Sequence, residues 1–161
     1  MSKAVKESAA VSAEAKSGVL VGRFDHALDP KKRLTLPSEW RAVMGCPEYV
    51  YAMPDRKDRC VNIVSMSEMD VILGRLREKA LFNPALGKAC QTIGENSELL
   101  ALDSQGRIRV CDRFLKFAGL SGTVAMVGAV RMIKLWNPAS LAPEDDVDQT
   151  ALDKALEEAG F

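Results

Sequence analysis

Two short runs hold the residues best placed for chemistry. Asp29-Pro30-Lys31-Lys32-Arg33 and Asp103-Ser104-Gln105-Gly106-Arg107 each set an aspartate four positions ahead of an arginine. That set suits recognition of anions rather than bond making. A guanidinium held at its base fits bidentate contact with a phosphate or a guanine edge, because little side-chain freedom remains to be lost. In the second run, Asp103 to Gly106 reads as a type I turn with glycine at positive φ, and Asp103 is placed to accept hydrogen bonds from the turn amides. Arg107 leaves the turn at the start of a strand, and Arg109, two residues on, shares its side. In the first run Pro30 fits the second turn position, and Lys32 stands where the other run has Gly106. A lysine at positive φ costs about 1 kcal/mol relative to glycine. Accepting that strain to add a cation beside Lys31 and Arg33 is consistent with phosphate contact. The residues alone leave another reading open: an ordinary solvated hairpin in which Arg33 pairs with Asp29.

Enzymatic chemistry finds little footing. His26 is the single histidine, with no evident nucleophilic partner in sequence, and there is no P-loop, G-x-G-x-x-G or metal-spaced carboxylate set. Cys46, Cys60, Cys90 and Cys111 are scattered without a C-x-x-C pair, which reads as reduced thiols of a cytosolic protein rather than disulfides or a zinc site. The expectation is a non-enzyme with no cofactor, no metal and no small-molecule substrate. No apolar run approaches the ~18 residues needed to span a bilayer, and the polar N-terminus lacks the apolar centre of a signal peptide. A cytoplasmic protein without a membrane partner is expected.

The elements that position the two turns are themselves duplicated. With an offset of 74 residues, Ala27-Leu28-Asp29 matches Ala101-Leu102-Asp103, Arg33 matches Arg107, Leu34 and Leu36 match Ile108 and Val110, and Trp40 matches Phe114. The match continues through Gly45 and Gly119, and through Val50 to Met53 against Val124 to Val127. Each unit reads as a strand, the Asp turn, a strand of alternating apolar residues, a short helix ended by glycine, and two further strands. Ser38 and Asp112 are placed to cap the short helices. Between the units, Ser67 to Leu81 has helical periodicity with Ser67 and Asp70 resembling a capping box, and a second helix is expected from Asn83-Pro84 toward Ile93. These readings divide the chain into a disordered tail (1–18), a first unit (19–66), connecting helices (67–97), a second unit (98–141) and an acidic tail (142–161) with a marginal helix near Thr150 to Ala159. The chain's net charge is zero. From Leu141 onward seven acidic residues face one lysine, so the rest of the chain is mildly basic, which is compatible with nucleic acid as a partner.

The ordered set Gly22-Arg23, Leu28-Asp29, Arg33-Leu34 and Pro37, followed by "LDSQGRIRV" and "FAGLSGTVAMVGAVRMIKLWNP", resembles the MraZ family across roughly Val21 to Ala142. The resemblance implies an α+β fold of two tandem AbrB-like, swapped-hairpin β-rich units forming a pseudo-dimeric β-barrel core, with connecting helices and subunits assembled in a ring. It implies a bacterial transcriptional regulator, nucleoid-associated, that binds short direct repeats of double-stranded DNA in the promoter of the division and cell-wall gene cluster. The Asp and Arg of each turn inherit the DNA-facing role, giving Asp29, Lys31, Lys32, Arg33, Asp103, Arg107 and Arg109 as the site. The chain departs from the family pattern at Lys32 in place of glycine, at Val110-Cys111, in the helix segment "NPALGKACQTIGENSE", which has only Lys88 where the family usually carries several arginines, and in the residues before Val19. Two alternative readings are a ring-forming interaction protein that no longer reads DNA sequence, and an AbrB-type antitoxin with an acidic partner-binding tail.

Overall fold

In the computed structural model, residues 18–141 and 148–161 are described. Residues 1–17 of the expected tail (1–18), and the acids Glu144, Asp145 and Asp146, lie outside them. Among the described residues there are eight strands: β1 (Arg23–Ala27), β2 (Arg33–Thr35), β3 (Tyr49–Asp55), β4 (Cys60–Ser65), β5 (Glu98–Ala101), β6 (Arg107–Arg109), β7 (Thr123–Gly128) and β8 (Ile133–Trp136). Among the described residues there are five α-helices: α1 (Ser38–Val43), α2 (Met66–Ala80), α3 (Pro84–Asn96), α4 (Asp112–Ala118) and α5 (Gln149–Glu158). The class is α+β.

Six strands form one antiparallel sheet in the order β1-β7-β8-β4-β3-β5, and β2 pairs with β6 in a separate two-stranded ribbon. The hydrogen-bonded order therefore has two ends, β1 and β5, rather than a closed circuit. Pairing respects the duplication. Leu34 lies opposite its counterpart Ile108 in the ribbon, with Arg33 opposite Arg109 and Thr35 opposite Arg107. Ala27 pairs with Thr123 and, correspondingly, Ala101 pairs with Tyr49. Asn62 faces Lys134 at the centre of the β4–β8 pair. Strands of one unit thus hydrogen-bond strands of the other at each of these places.

The core is filled by the same positions from both units. Leu34, Leu36, Trp40, Val50 and Ile63 are buried together with Ile108, Val110, Phe114, Val124 and Leu135. Alternation sends Leu34 and Ile108 inward, both fully buried, and turns Arg33, Thr35, Arg107 and Arg109 to the opposite face of the ribbon. Each fully buried aliphatic contributes about 1.5–3 kcal/mol, so the ribbon's inner face anchors what its outer face displays. Gly119, in the left-handed region at φ 62, ends α4 as its sequence position suggests.

The cap assignments need correction. Ser38 and Asp112 are the first helical residues of α1 and α4, with Pro37 and Cys111 at the cap positions and no side-chain cap bond at either. The Asp112 carboxylate instead pairs with the Lys32 ammonium of the other unit. Helix α2 is capped two residues earlier than expected: Ser65 accepts from the Glu68 N–H at 3.1 Å, a Ser-x-x-Glu arrangement whose serine leads directly out of β4. Asn83 caps α3 by accepting from the Ala85 N–H at 3.1 Å.

A partly buried polar cluster sits where β4 meets β8. Lys134 donates to Asp55 at 2.7 Å, and the Asn62 side-chain amide donates to the same carboxylate at 3.2 Å. Burial pushes the Asp55 carboxyl up, but the Lys134 hydrogen bond, the Asp58 N–H and the Asn62 amide outweigh it and bring it down to about 2. Burial pushes the neighbouring Cys60 thiol up to about 12. Among the described residues the four cysteines are unbridged and no three His, Cys, Asp or Glu side chains converge as a metal site. His26 lies on the exposed edge strand β1 with Nδ1 2.9 Å from the Ala27 carbonyl oxygen. No helix is long and apolar enough to cross a membrane among these residues.

Candidate nucleic-acid interface

The two Asp-Arg turns have the same hydrogen bonds atom for atom. In the first, Asp29 Oδ1 accepts from the Lys31 and Arg33 N–H groups at 2.9 and 2.8 Å, while Oδ2 accepts from Arg33 Nε at 2.6 Å. In the second, Asp103 Oδ1 accepts from the Gln105 and Arg107 N–H groups, both at 2.9 Å, and Oδ2 accepts from Arg107 Nε at 2.7 Å. Backbone bonds close each turn, from the Lys32 N–H to the Asp29 carbonyl oxygen and from the Gly106 N–H to that of Asp103, both at 2.9 Å. Both carboxyls sit below their ordinary range. At Asp29 burial opposes the shift and the Arg33 backbone and side-chain donors prevail. At Asp103 the Arg107 N–H is the leading cause.

Each aspartate therefore does two things. It fixes the turn, and it grips its arginine by Nε alone. The pairing of Arg33 with Asp29, which the sequence left open as an alternative to function, is present in both copies, yet it leaves the Nη groups without a hydrogen bond among the described residues. A guanidinium tethered through Nε and open at Nη is preorganised for an anion.

Lys32 adopts φ 62 and Gly106 φ 75, so the lysine does occupy the left-handed conformation of its glycine counterpart. Its ammonium is taken by Asp112, whose carboxyl is held below its ordinary value by that bond. The turns are also stitched to each other's unit. Leu36 N–H donates to the Gly106 carbonyl oxygen and Val110 N–H to that of Lys32, both at 2.9 Å.

Across the ribbon, Arg33 stands directly opposite Arg109. Like charges so placed repel, and no carboxylate pairs with Arg109 or Lys31 among the described residues. One residue escaped the reading of the sequence. Arg41, on α1, donates from Nε to the Leu36 carbonyl oxygen at 3.1 Å and lies against Gly106. Six cations, Lys31, Lys32, Arg33, Arg41, Arg107 and Arg109, thus lie near four carboxylates, Asp29, Asp103, Asp112 and Glu48, the last lining the depression beside Arg41 and Asp103. The local charge excess is positive although the chain is neutral.

No protein-family model matches the chain. Curated proteins do. The transcriptional regulator MraZ of Corynebacterium jeikeium (strain K411) is 31% identical over 121 residues, 75% of this chain and 82% of its own length. That of Beijerinckia indica subsp. indica is 30% identical over 127 residues, 73% of each chain. The Clostridium acetobutylicum MraZ is aligned over its whole length and 89% of this chain at 24% identity. The Clostridium alignment, at 89% of this chain, takes in most of both duplicated units, and the chain belongs to the MraZ family of transcriptional regulators.

Proposed function

We propose that this bacterial transcriptional regulator acts by non-covalent binding of double-stranded DNA through the β2–β6 ribbon and its two flanking turns. The observation that carries the reading is the juxtaposition of Arg33, Arg107 and Arg109 on one ribbon face, two of them pinned through Nε with their Nη groups open. Repulsion across the ribbon is relieved by a polyanion, and the pinned ends suit phosphate or guanine edges. Lys31, and Lys32 through the ammonium donors that its bond to Asp112 leaves over, contribute contacts to phosphate, which set register rather than sequence. In this reading the two units are swapped-hairpin, AbrB-like halves of one pseudo-dimer spanning residues 19–66 and 98–141, joined by the α2–α3 hairpin. Several chains assemble, in a ring, on short direct repeats in the promoter of a division and cell-wall gene cluster, so that modest single contacts gain avidity. The exposed Leu81 and Phe82 at the tip of that hairpin, 80% and 90% accessible, are surface for such assembly.

The test is selection of duplexes from a random pool by the purified protein, followed by gel-shift titration of the winner with Arg33→Ala/Arg107→Ala. Each lost arginine contact is worth about 1–3 kcal/mol, so the double variant binds at least about 30-fold more weakly at unchanged solution mass. Unaltered affinity would refute the assignment of the ribbon.

A further inference from the structure

Gly106 and Lys32 occupy equivalent places, yet what surrounds them differs. A Cβ on Gly106 would lie 2.6 Å from Arg41 Nη1 and closer still to Nε and Cζ. The guanidinium of Arg41 therefore lies flat against the glycine, in space that any side chain at 106 would need. On the other turn the counterpart of Arg41 is Leu115, which lines the depression beside Lys32 together with Asp112 and Lys116. Leucine has none of the three atoms that exclude a Cβ at Gly106.

The pairs are thus reciprocal. Where the turn has lysine, the facing helix has leucine; where the turn has glycine, the facing helix supplies arginine across the unit boundary. Arg41 is also gripped as Arg33 and Arg107 are. Its Nε is tied, here to the Leu36 carbonyl oxygen at 3.1 Å, and its Nη groups make no hydrogen bond among the described residues. Leu36 in turn donates its N–H to the Gly106 carbonyl oxygen at 2.9 Å, so Leu36 links the arginine to the turn.

We infer that Arg41 is a DNA-contacting residue of the second turn, holding the phosphate-facing place that Lys32 holds in the first. The inference rests on the ribbon being the DNA surface and assigns to it a cation contributed by a helix of the other unit. A side chain at 106 would displace that guanidinium, and the φ of 75 favours glycine there in its own right.

The experiment uses the full chain and a duplex selected from a random pool by the unmodified protein, with affinity read by fluorescence anisotropy over ~50–200 mM salt. Arg41→Leu, which copies Leu115, lowers affinity about tenfold, the scale of one charge-assisted hydrogen bond. It also reduces the steepness of the salt dependence by about 0.9 in log–log slope. Arg41→Leu/Gly106→Lys sets a turn lysine beside a helix leucine, as in the first turn, with Ser38 standing where Asp112 stands there, and restores both. A purely structural role for Arg41 would leave the double variant as weak as the single one, and that result overturns the inference. So does wild-type affinity in Arg41→Leu while Arg33→Ala/Arg107→Ala is impaired, which spares the ribbon reading. Wild-type affinity in all variants removes the ribbon reading and this inference together. Thermal melts of each variant separate loss of fold from loss of contact.

Discussion

The Asp55–Lys134 pair gives the most quantitative handle on how the two units are joined. Its side chains are only 18% and 20% exposed, and Lys134 faces Asn62 across the central β4–β8 pairing. The Asp55 carboxyl moves from 3.8 to about 2 on folding. At about 1.36 kcal/mol per pKa unit, and allowing for residual solvent screening, that shift contributes about 2 kcal/mol. Because the folded value is the lower one, the contribution is complete above the unfolded value and is lost as pH falls through the folded value. Asp55→Asn keeps the shape and removes the charge. Urea unfolding should find it about 2 kcal/mol less stable at pH 7, with the gap constant down to about pH 4 and closing toward pH 2. Other carboxylates titrate in both proteins and cancel in the difference. A gap that persists unchanged at about pH 2, or that is absent at pH 7, refutes the reasoning.

Lys32→Gly should stabilise the fold by about 1 kcal/mol, since it relieves a lysine at φ 62 and gives up only an exposed ion pair; in the same variant DNA affinity falls. A lower urea midpoint would mean that the lysine is not strained. Gly128→Ala should destabilise by about 1–3 kcal/mol, because a Cβ there meets backbone atoms of Leu20 and Val21 at 2.7 Å. The displaced segment includes the Val21 carbonyl that accepts from Trp40 Nε1 at 2.8 Å, so tryptophan fluorescence should change alongside the melting temperature. An unshifted melt would argue against that close approach.

The parts legible in the sequence were those written twice or written locally. Periodicity set Leu34 and Leu36 against Ile108 and Val110, and the comparison of Lys32 with Gly106 anticipated a positive φ that the structure contains. Helix α2 was visible from its apolar spacing to within a residue at each end. Caps were less legible because residue types that suit a cap also occur in a helix's first turn, where a carboxylate is favoured by the helix dipole. Ser38 and Asp112 look like caps by type, but the chain turns one residue earlier, and Asp112 is claimed by a lysine 80 positions away. Arg41 was invisible for a related reason. Nothing near it in sequence announces that its guanidinium rests on a glycine of the other unit. The Asp55, Asn62 and Lys134 cluster likewise depends on β4 and β8 being neighbours, a pairing between distant segments that no local pattern specifies.

The ribbon register, with Leu34 facing Ile108, has a consequence for heredity as well as for packing. Were each unit a separate, identical chain, every substitution would appear on both sides of that meeting point, and a helix arginine over a turn glycine would have to occur twice or not at all. Covalent joining lets the two sides diverge. One turn keeps its cation on its own backbone and the other borrows one from across the boundary. The molecule consequently has a front and a back: two ends that look interchangeable in outline offer different chemistry. A single chain laid on a duplex then points in a definite direction, whatever the symmetry of its strands.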